Sequence, residues 1–333
     1  MAKWLLKAVV LVVMGVAAFY ALQLGDHFLM AQLEGTAETG PIEVIELPES
    51  VQQAPKTRGE GPGNALLKRA ILTLKQRGSV QTSIEQVGWI DDDLIQTRGD
   101  YYQAGNGSER KFHFRQRGEL AGSPTDLLQV SDSRFLWSDL AWLDADSETQ
   151  RRVTRVDLRR VRGLMNSTDE DGFANTGGSD PFQWSRFGGL PMLLAGLDEA
   201  FRFGAPRRMQ VRDETVAAMV GRWRPDRLDQ LAEGETLPPR FPQHVVVALS
   251  EATLFPVLVE YRDTRDPLSA DGLADEALLT PSRRPLMKID LRNATFGQRY
   301  DPGLFAYRPS IDDWSDQTDR ELRLVRATQV VAR

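Results

Sequence analysis

Few residues of this chain have the types and spacing that chemistry needs. Three histidines, His27, His113 and His244, are spread over 333 residues, and cysteine is absent. That removes disulfides, thiolate catalysis and cysteine-based zinc or iron–sulfur sites. No histidine belongs to an HExxH or comparable ligand spacing, and His113 alternates with Phe112 and Phe114 as the polar residue of a strand. A GxSxG elbow is missing, so a serine nucleophile has no support. Asp169-Glu170-Asp171-Gly172 has its glycine fourth, whereas a calcium loop needs it sixth. Asp91-Asp92-Asp93 reads as a turn, and Gly59, Gly61 and Gly63 follow no strand and precede no GK[ST]. Among 47 acidic residues nothing selects a catalytic pair. The expectation is a protein with no catalytic residue, no metal and no cofactor; a hydrolase with a dispersed carboxylate site is the enzymatic alternative.

What remains is apolar. Trp89, Phe112, Phe114, Trp137 and Trp223 fall on expected strands, while Leu194, Leu197 and Phe201 lie on one face of an unusually greasy helix. Two readings are open: these residues fill a core, or a curved sheet encloses a chamber for acyl chains with that helix as its cover. The net charge of −6 and the lack of any run of five basic residues argue against a nucleic-acid partner.

These residues have to be positioned by three expected parts: residues 1–30, 31–63 and 64–333. From Trp4 to Leu24 the chain reads WLLKAVVLVVMGVAAFYALQL, with Lys7 its one charge. Roughly 20 apolar residues can cross a bilayer as a helix, and Lys3 and Lys7 before the span, with Asp26, Glu34 and Glu38 after it, leave the bulk outside the cytoplasm. Residues 4–24 therefore read as a membrane anchor, facing the rest of the chain to a periplasm or extracellular space, or as a cleaved signal peptide. Residues 31–63, rich in Glu, Pro, Gly and Gln, read as a disordered linker.

The folded part opens with a helix capped by Asn64, its stripe made of Leu66, Leu67, Ala70, Ile71 and Leu74. The period then changes to two: 79–89, 94–104, 110–118, the LLQVSDSRFLWSD hairpin at 127–139, and 151–161 are successive strand candidates. A polar excursion at 166–188 precedes the helix that starts near Pro191. Strands resume at 207–213, 215–223, 244–250, 255–263, 285–297 and 304–309, interrupted by a short helix after Pro225 and a polar loop over 264–285. About ten antiparallel strands with few helices make an α+β domain.

The initial helix, RGDYYQAG at 98–105, KFHF at 111–114, LLQVSDSRFLW at 127–137, and the late KIDLRNATFG and FAYRP segments resemble the LolA-like family of periplasmic lipoprotein and lipid carriers. The resemblance implies a half-open antiparallel β-barrel covered by helices, with Trp137 in its wall and a hydrophobic cavity taking acyl chains of lipids or lipoproteins. It implies no enzyme. No residue matches a carrier's gating arginine, and an anchor departs from a freely shuttling carrier. A cell-envelope regulator or assembly factor, using the same fold to dock envelope proteins, is the second reading.

Overall fold

The computed structural model describes residues 60–90, 93–120, 122–143, 148–166, 189–232, 241–262, 279–280, 282 and 284–323. The apolar segment 4–24, all but the end of the expected linker, the 166–188 excursion beyond Asn166 and most of the 264–285 loop lie outside these residues. Among the described residues no helix is long and apolar enough to cross a membrane.

Helix α1 (Pro62–Gln76) begins three residues earlier than a cap at Asn64 would place it. Pro62 sits in the first turn, where its missing N–H is not needed. Asn64 is the third helical residue rather than the cap, and its Oδ1 accepts from the Gly61 amide at 3.1 Å. A Cβ on Gly61 or Gly63 would sit 1.9 or 2.4 Å from the carbonyl oxygens of Phe203 and Gly204, so only glycine lets the helix start touch that backbone.

Thirteen strands form one sheet among the described residues: β1 (Ser79–Ile90), β2 (Asp93–Ala104), β3 (Lys111–Leu120), β4 (Ser123–Ser131), β5 (Phe135–Leu143), β6 (Thr149–Asp157), β7 (Phe201–Phe203), β8 (Arg207–Val211), β9 (Glu214–Trp223), β10 (His244–Ser250), β11 (Pro256–Arg262), β12 (Met287–Phe296) and β13 (Trp314–Asp316). Their order is β13-β6-β5-β4-β3-β2-β1-β12-β11-β10-β9-β7, with β8 also on β9. Every pairing is antiparallel except β13 on β6. The expected antiparallel α+β sheet with helices is present, but the pairing runs from edge to edge without closing, so a barrel is not formed by hydrogen bonds. The 127–139 stretch is the β4–β5 hairpin, its turn held by Asp132 accepting from the amides of Arg134 and Phe135.

Two segments differ from the period-two reading. Strand β6 stops at Asp157, whose carboxylate accepts from the amides of Arg159 and Arg160 and so starts helix α2 (Leu158–Asn166). The FAYRP segment is no strand: Pro302–Phe305 is a 3₁₀ turn, and the late strand is the three-residue β13. Helices α3 (Leu190–Ala200) and α4 (Pro225–Ala232) lie where expected, except that Phe201, expected on the α3 face, is extended and opens strand β7.

Helix α1 packs on α3, and both lie on one face of the sheet, here called the inner face. Asn64, fully buried, clamps them: its Nδ2 donates to Asp198 Oδ1 at 2.7 Å and to the Phe201 carbonyl at 3.1 Å, and its Oδ1 accepts from Phe203 N at 2.9 Å. Beneath the helices, Ala217, Met219, Val245, Val247, Val259, Ile289 and Leu291 fill the inner face of β9–β12. The opposite face of the same strands is also apolar, with Val216, Ala218, Val220, Val246, Ala248 and Val257 buried together.

Candidate functional site

Strands β2–β6 form a wing whose inner face is built differently. The paired registers place Tyr101, Phe114, Gln129, Ser138 and Thr154 in one row across it. The rows on either side hold Gln103, Phe112, Ser131, Leu136 and Val156, and Gln116, Leu127, Leu140 and Arg152. Apolar and polar side chains alternate there, although the face is covered: Gln116 is 2% exposed, Gln129 and Thr97 6% each.

Several buried polar atoms of this face have no hydrogen-bond partner among the described residues. They are Thr97 Oγ1, Gln116 Nε2 and Gln129 Oε1. Gln129 does donate through Nε2 to Ser138 Oγ at 3.2 Å, which leaves the carbonyl oxygen free. The positions facing Gln116 and Thr97 across the β2–β3 ladder are Gly99 and Gly118, where a Cβ would stand 1.6 and 2.0 Å from the carbonyls of Arg115 and Gln96. Each glycine therefore leaves its polar neighbour without a side chain across the strand. A buried donor or acceptor without a partner costs about 1–3 kcal/mol, and a solid core avoids this by using apolar side chains.

Tyr101 ties this wall to α3. Its hydroxyl donates to Gln103 Oε1 at 2.8 Å and accepts from the Leu190 amide at 3.3 Å, at the first residue of the helix. Gly189 makes the approach possible, with φ of +65° and a Cβ position 2.0 Å from the Tyr101 hydroxyl. Burial pushes that hydroxyl far above the ordinary tyrosine range, against the Leu190 hydrogen bond and the charge of Arg110, so it stays a neutral donor. Phe112 stacks near Tyr101 at 6.3 Å and Phe114 meets it edge-on at 6.4 Å.

The eight residues named from sequence divide into three groups. Phe112 and Phe114 line the wing's inner wall. Leu194, Leu197 and Phe201 are fully buried with α1 and the apolar half, and Trp223 packs beside Phe201 at 4.3 Å while its Nε1 donates to the Pro242 carbonyl at 2.6 Å. Trp89 and Trp137 are on the other face, out of phase with Ile84 and Leu136 of their strands. Trp89 lies under the Arg284 guanidinium at 4.6 Å. Trp137 belongs to the sheet, as the hairpin predicts, yet it faces away from the helices and contacts Tyr307 at 5.4 Å and Trp314 at 5.2 Å. Residue type alone could not place it, because a one-residue shift of phase reverses the face. The inner glutamines went unnoticed in the sequence for the same reason: their burial follows from register, not composition.

The wing's outer face is ionic. Arg115 donates through Nε and Nη2 to Asp126 at 3.1 and 2.6 Å, Arg117 donates to the same carboxylate, and Arg151 gripping Asp139 is joined by the Tyr307 hydroxyl at 2.8 Å. His113 lies on this face with Nδ1 2.9 Å from the Leu304 carbonyl. Among the described residues no three His, Cys, Asp or Glu side chains gather as metal ligands.

No protein-family profile and no curated protein matches the chain in sequence. Similar solved structures include a LolA superfamily protein from Nitrosomonas europaea, 12% identical over 74% of this chain and 97% of that one, at a TM-score of 0.24. Lipoprotein LppX from Mycobacterium tuberculosis is 8% identical over 72% and 97%, at 0.33. The MucA/MucB complex of Pseudomonas aeruginosa is 9% identical over 74% of this chain and 61% of that one, at 0.35. At these identities and scores the function has to be argued from this chain's own geometry.

Proposed function

We propose that this chain is an envelope binding protein without catalysis, held by residues 4–24 and taking acyl chains of a lipid or lipoprotein against the inner wall of the β2–β6 wing. The observation that carries the reading is the set of buried atoms on Thr97, Gln116 and Gln129, without partners among the described residues, on the face that also carries the rings of Phe112 and Phe114. An acyl ester or amide is complementary to such a wall. Its chain lies on aromatic and aliphatic surface, gaining about 0.8 kcal/mol per buried CH₂, while its carbonyl accepts from Gln116 Nε2 and an amide N–H donates to Gln129 Oε1. Leu194, Leu197, Phe201 and Trp223 then support the wall through α3 and α1 and are not its surface.

Titrating the full chain with a fluorescent acyl amide tests this. Saturable binding is expected, weakened by Gln116→Leu in a protein whose far-ultraviolet circular dichroism is unchanged. A folded wild-type chain that binds no acyl probe removes the reading and leaves docking of envelope proteins as the use of the fold.

A further inference from the structure

At the α3 end of the wing the inner face carries an arginine with no carboxylate partner among the described residues. Arg110 follows the 3₁₀ turn Gly107–Glu109 and precedes β3; it is 5% exposed, and its Nε and Nη2 have no hydrogen-bond partner. Next to it Gln103 is fully buried, with Oε1 occupied by the Tyr101 hydroxyl and Nε2 unpartnered. Both residues meet the Tyr101 hydroxyl, which donates to Gln103 and interacts electrostatically with Arg110, and that hydroxyl accepts from the first residue of α3.

The same wing shows what this edge of an arginine is used for. In Arg115 and Arg151 the Nε and Nη2 pair grips one carboxylate, Asp126 and Asp139, in the two-pronged geometry that fits a planar or tetrahedral oxyanion. Arg110 presents that pair to no carboxylate. Its charged neighbours are basic: Lys75 from the last turn of α1 and Arg162 from α2 both feel its charge as repulsion. Glu109 acts on Arg162, whose Nη1 donates to the carbonyls of Ser108 and Ser133. A buried guanidinium among cations is costly unless an anion joins it.

We propose that Arg110 and Gln103, backed by the charges of Lys75 and Arg162, bind an oxyanion, the phosphate or carboxylate headgroup of the amphiphile that the inner wall takes. This rests on the reading above for the chain and adds the headgroup. The ligand lies with its anion under the start of α3 and its chain running along Phe112 and Phe114.

The test is calorimetric titration of the full chain, in nanodiscs of a neutral glycolipid, with dodecyl phosphate, dodecyl maltoside and inorganic phosphate. Dodecyl phosphate should bind at least about tenfold tighter than the maltoside, the value of a charge-assisted hydrogen-bond pair. Arg110→Gln should abolish that preference and keep the maltoside affinity, Gln103→Leu should reduce it, and Arg115→Gln on the outer face should leave it intact. Equal binding of both dodecyl compounds by the wild type overturns the headgroup site and spares the inner-wall reading. Binding of neither, with Arg110-dependent binding of inorganic phosphate, keeps the oxyanion site and removes the lipid. Silence from all three probes overturns both, and inorganic phosphate binding as tightly as dodecyl phosphate overturns the headgroup source. Should Arg110→Gln bind nothing, the thermal midpoint decides: without ligand, Arg110→Met should melt no lower than wild type, and a clear drop would show that the guanidinium is a structural tie and sink the proposal.

Discussion

Strands β9–β12 and strands β2–β6 belong to one sheet, yet they are stabilised by different means. In the first, the inner face is mostly aliphatic, the outer face combines valines and alanines with the buried Glu260–Arg262 pair, and all seven residues of β10 are buried. In the second, the outer face is held by arginine–carboxylate pairs, and the inner face buries glutamines and a threonine whose polar atoms lack partners. The run Val245–Leu249 in the middle of β10, buried on both sides, has no polar side chain to offer a ligand, so β9–β12 with α1 and α3 serves as scaffold. The wing gives up stability on its inner face and regains some on its outer one. Proteins retain such a local cost where a ligand meets it.

The largest effect should come from breaking the scaffold. Val247→Asp puts an unpaired carboxylate at a fully buried position and should abolish the cooperative melt, because the penalty of several kcal/mol is comparable to a domain's whole stability. A variant that still melts cooperatively near the wild-type temperature would mean that this half is not close-packed.

Next comes Glu260, which pairs with Arg262 at 2.7 Å with both side chains 1% exposed. Glu260→Ala strands the guanidinium and should cost about 3–5 kcal/mol by denaturant titration. Glu260→Leu combined with Arg262→Met should recover most of that loss. If the double replacement is no better than the single one, the pair is more than a mutually compensating charge couple.

The wing's inner face should respond in the opposite direction. Gln116→Leu and Thr97→Val remove buried atoms without partners, so each should stabilise the ligand-free chain by about 1–2 kcal/mol, read as a raised thermal midpoint. A lowered midpoint in both would show that these side chains are satisfied in solution and would erase the contrast between the two halves.

Acid should separate the regions more gently. Burial raises Asp126 and Asp139, but hydrogen bonds and charge from Arg115 and Arg117, and from Arg151 with the Tyr307 hydroxyl, outweigh it and hold both below the usual carboxylate range. A carboxyl with a depressed folded pKa stabilises above its unfolded value, about 4, and that contribution is lost as pH falls through the folded one. Glu260 and Asp198 have the other sign: burial holds them above the usual range despite Arg262 and Asn64. Their cost at neutral pH lessens as pH falls through their folded values towards about 4. Hydrogen exchange, corrected for intrinsic rates, should show β9–β12 firming in mild acid and β3–β5 loosening first in stronger acid. Asp139→Asn should flatten the second response, and simultaneous loosening of both regions would refute the division.

Much of this architecture is written in local pattern. The stripe Leu66, Leu67, Ala70, Ile71 and Leu74, the alternation along 79–104 and the Asp132 turn each describe their own element, because helix and strand periods and turn chemistry act over a few residues. The switch at Asp157 was missed since RRVTRVDLRRV satisfies both periods over its length, and the cap that ends the strand is one side chain. Trp89 and Trp137 cannot be assigned to the inner wall from their type, because the face each takes depends on register.

The sequence by itself determined most of the elements, though not α2, β7 or β13, together with the antiparallel class and the absence of cysteine chemistry, since these need only composition and near-neighbour spacing. Tertiary structure alone decided which polar residues are buried. Gln103, Gln116 and Gln129 look like ordinary solvent-facing strand residues until the ladder β2–β3–β4 puts them on the covered side, and Arg110 differs from Arg115 only in the face it turns to. The physical reason is that a side chain's desolvation is set by what lies across the sheet and above it. Those neighbours, α1, α2 and α3, are separated from it by tens of residues in the chain and come together only in the fold.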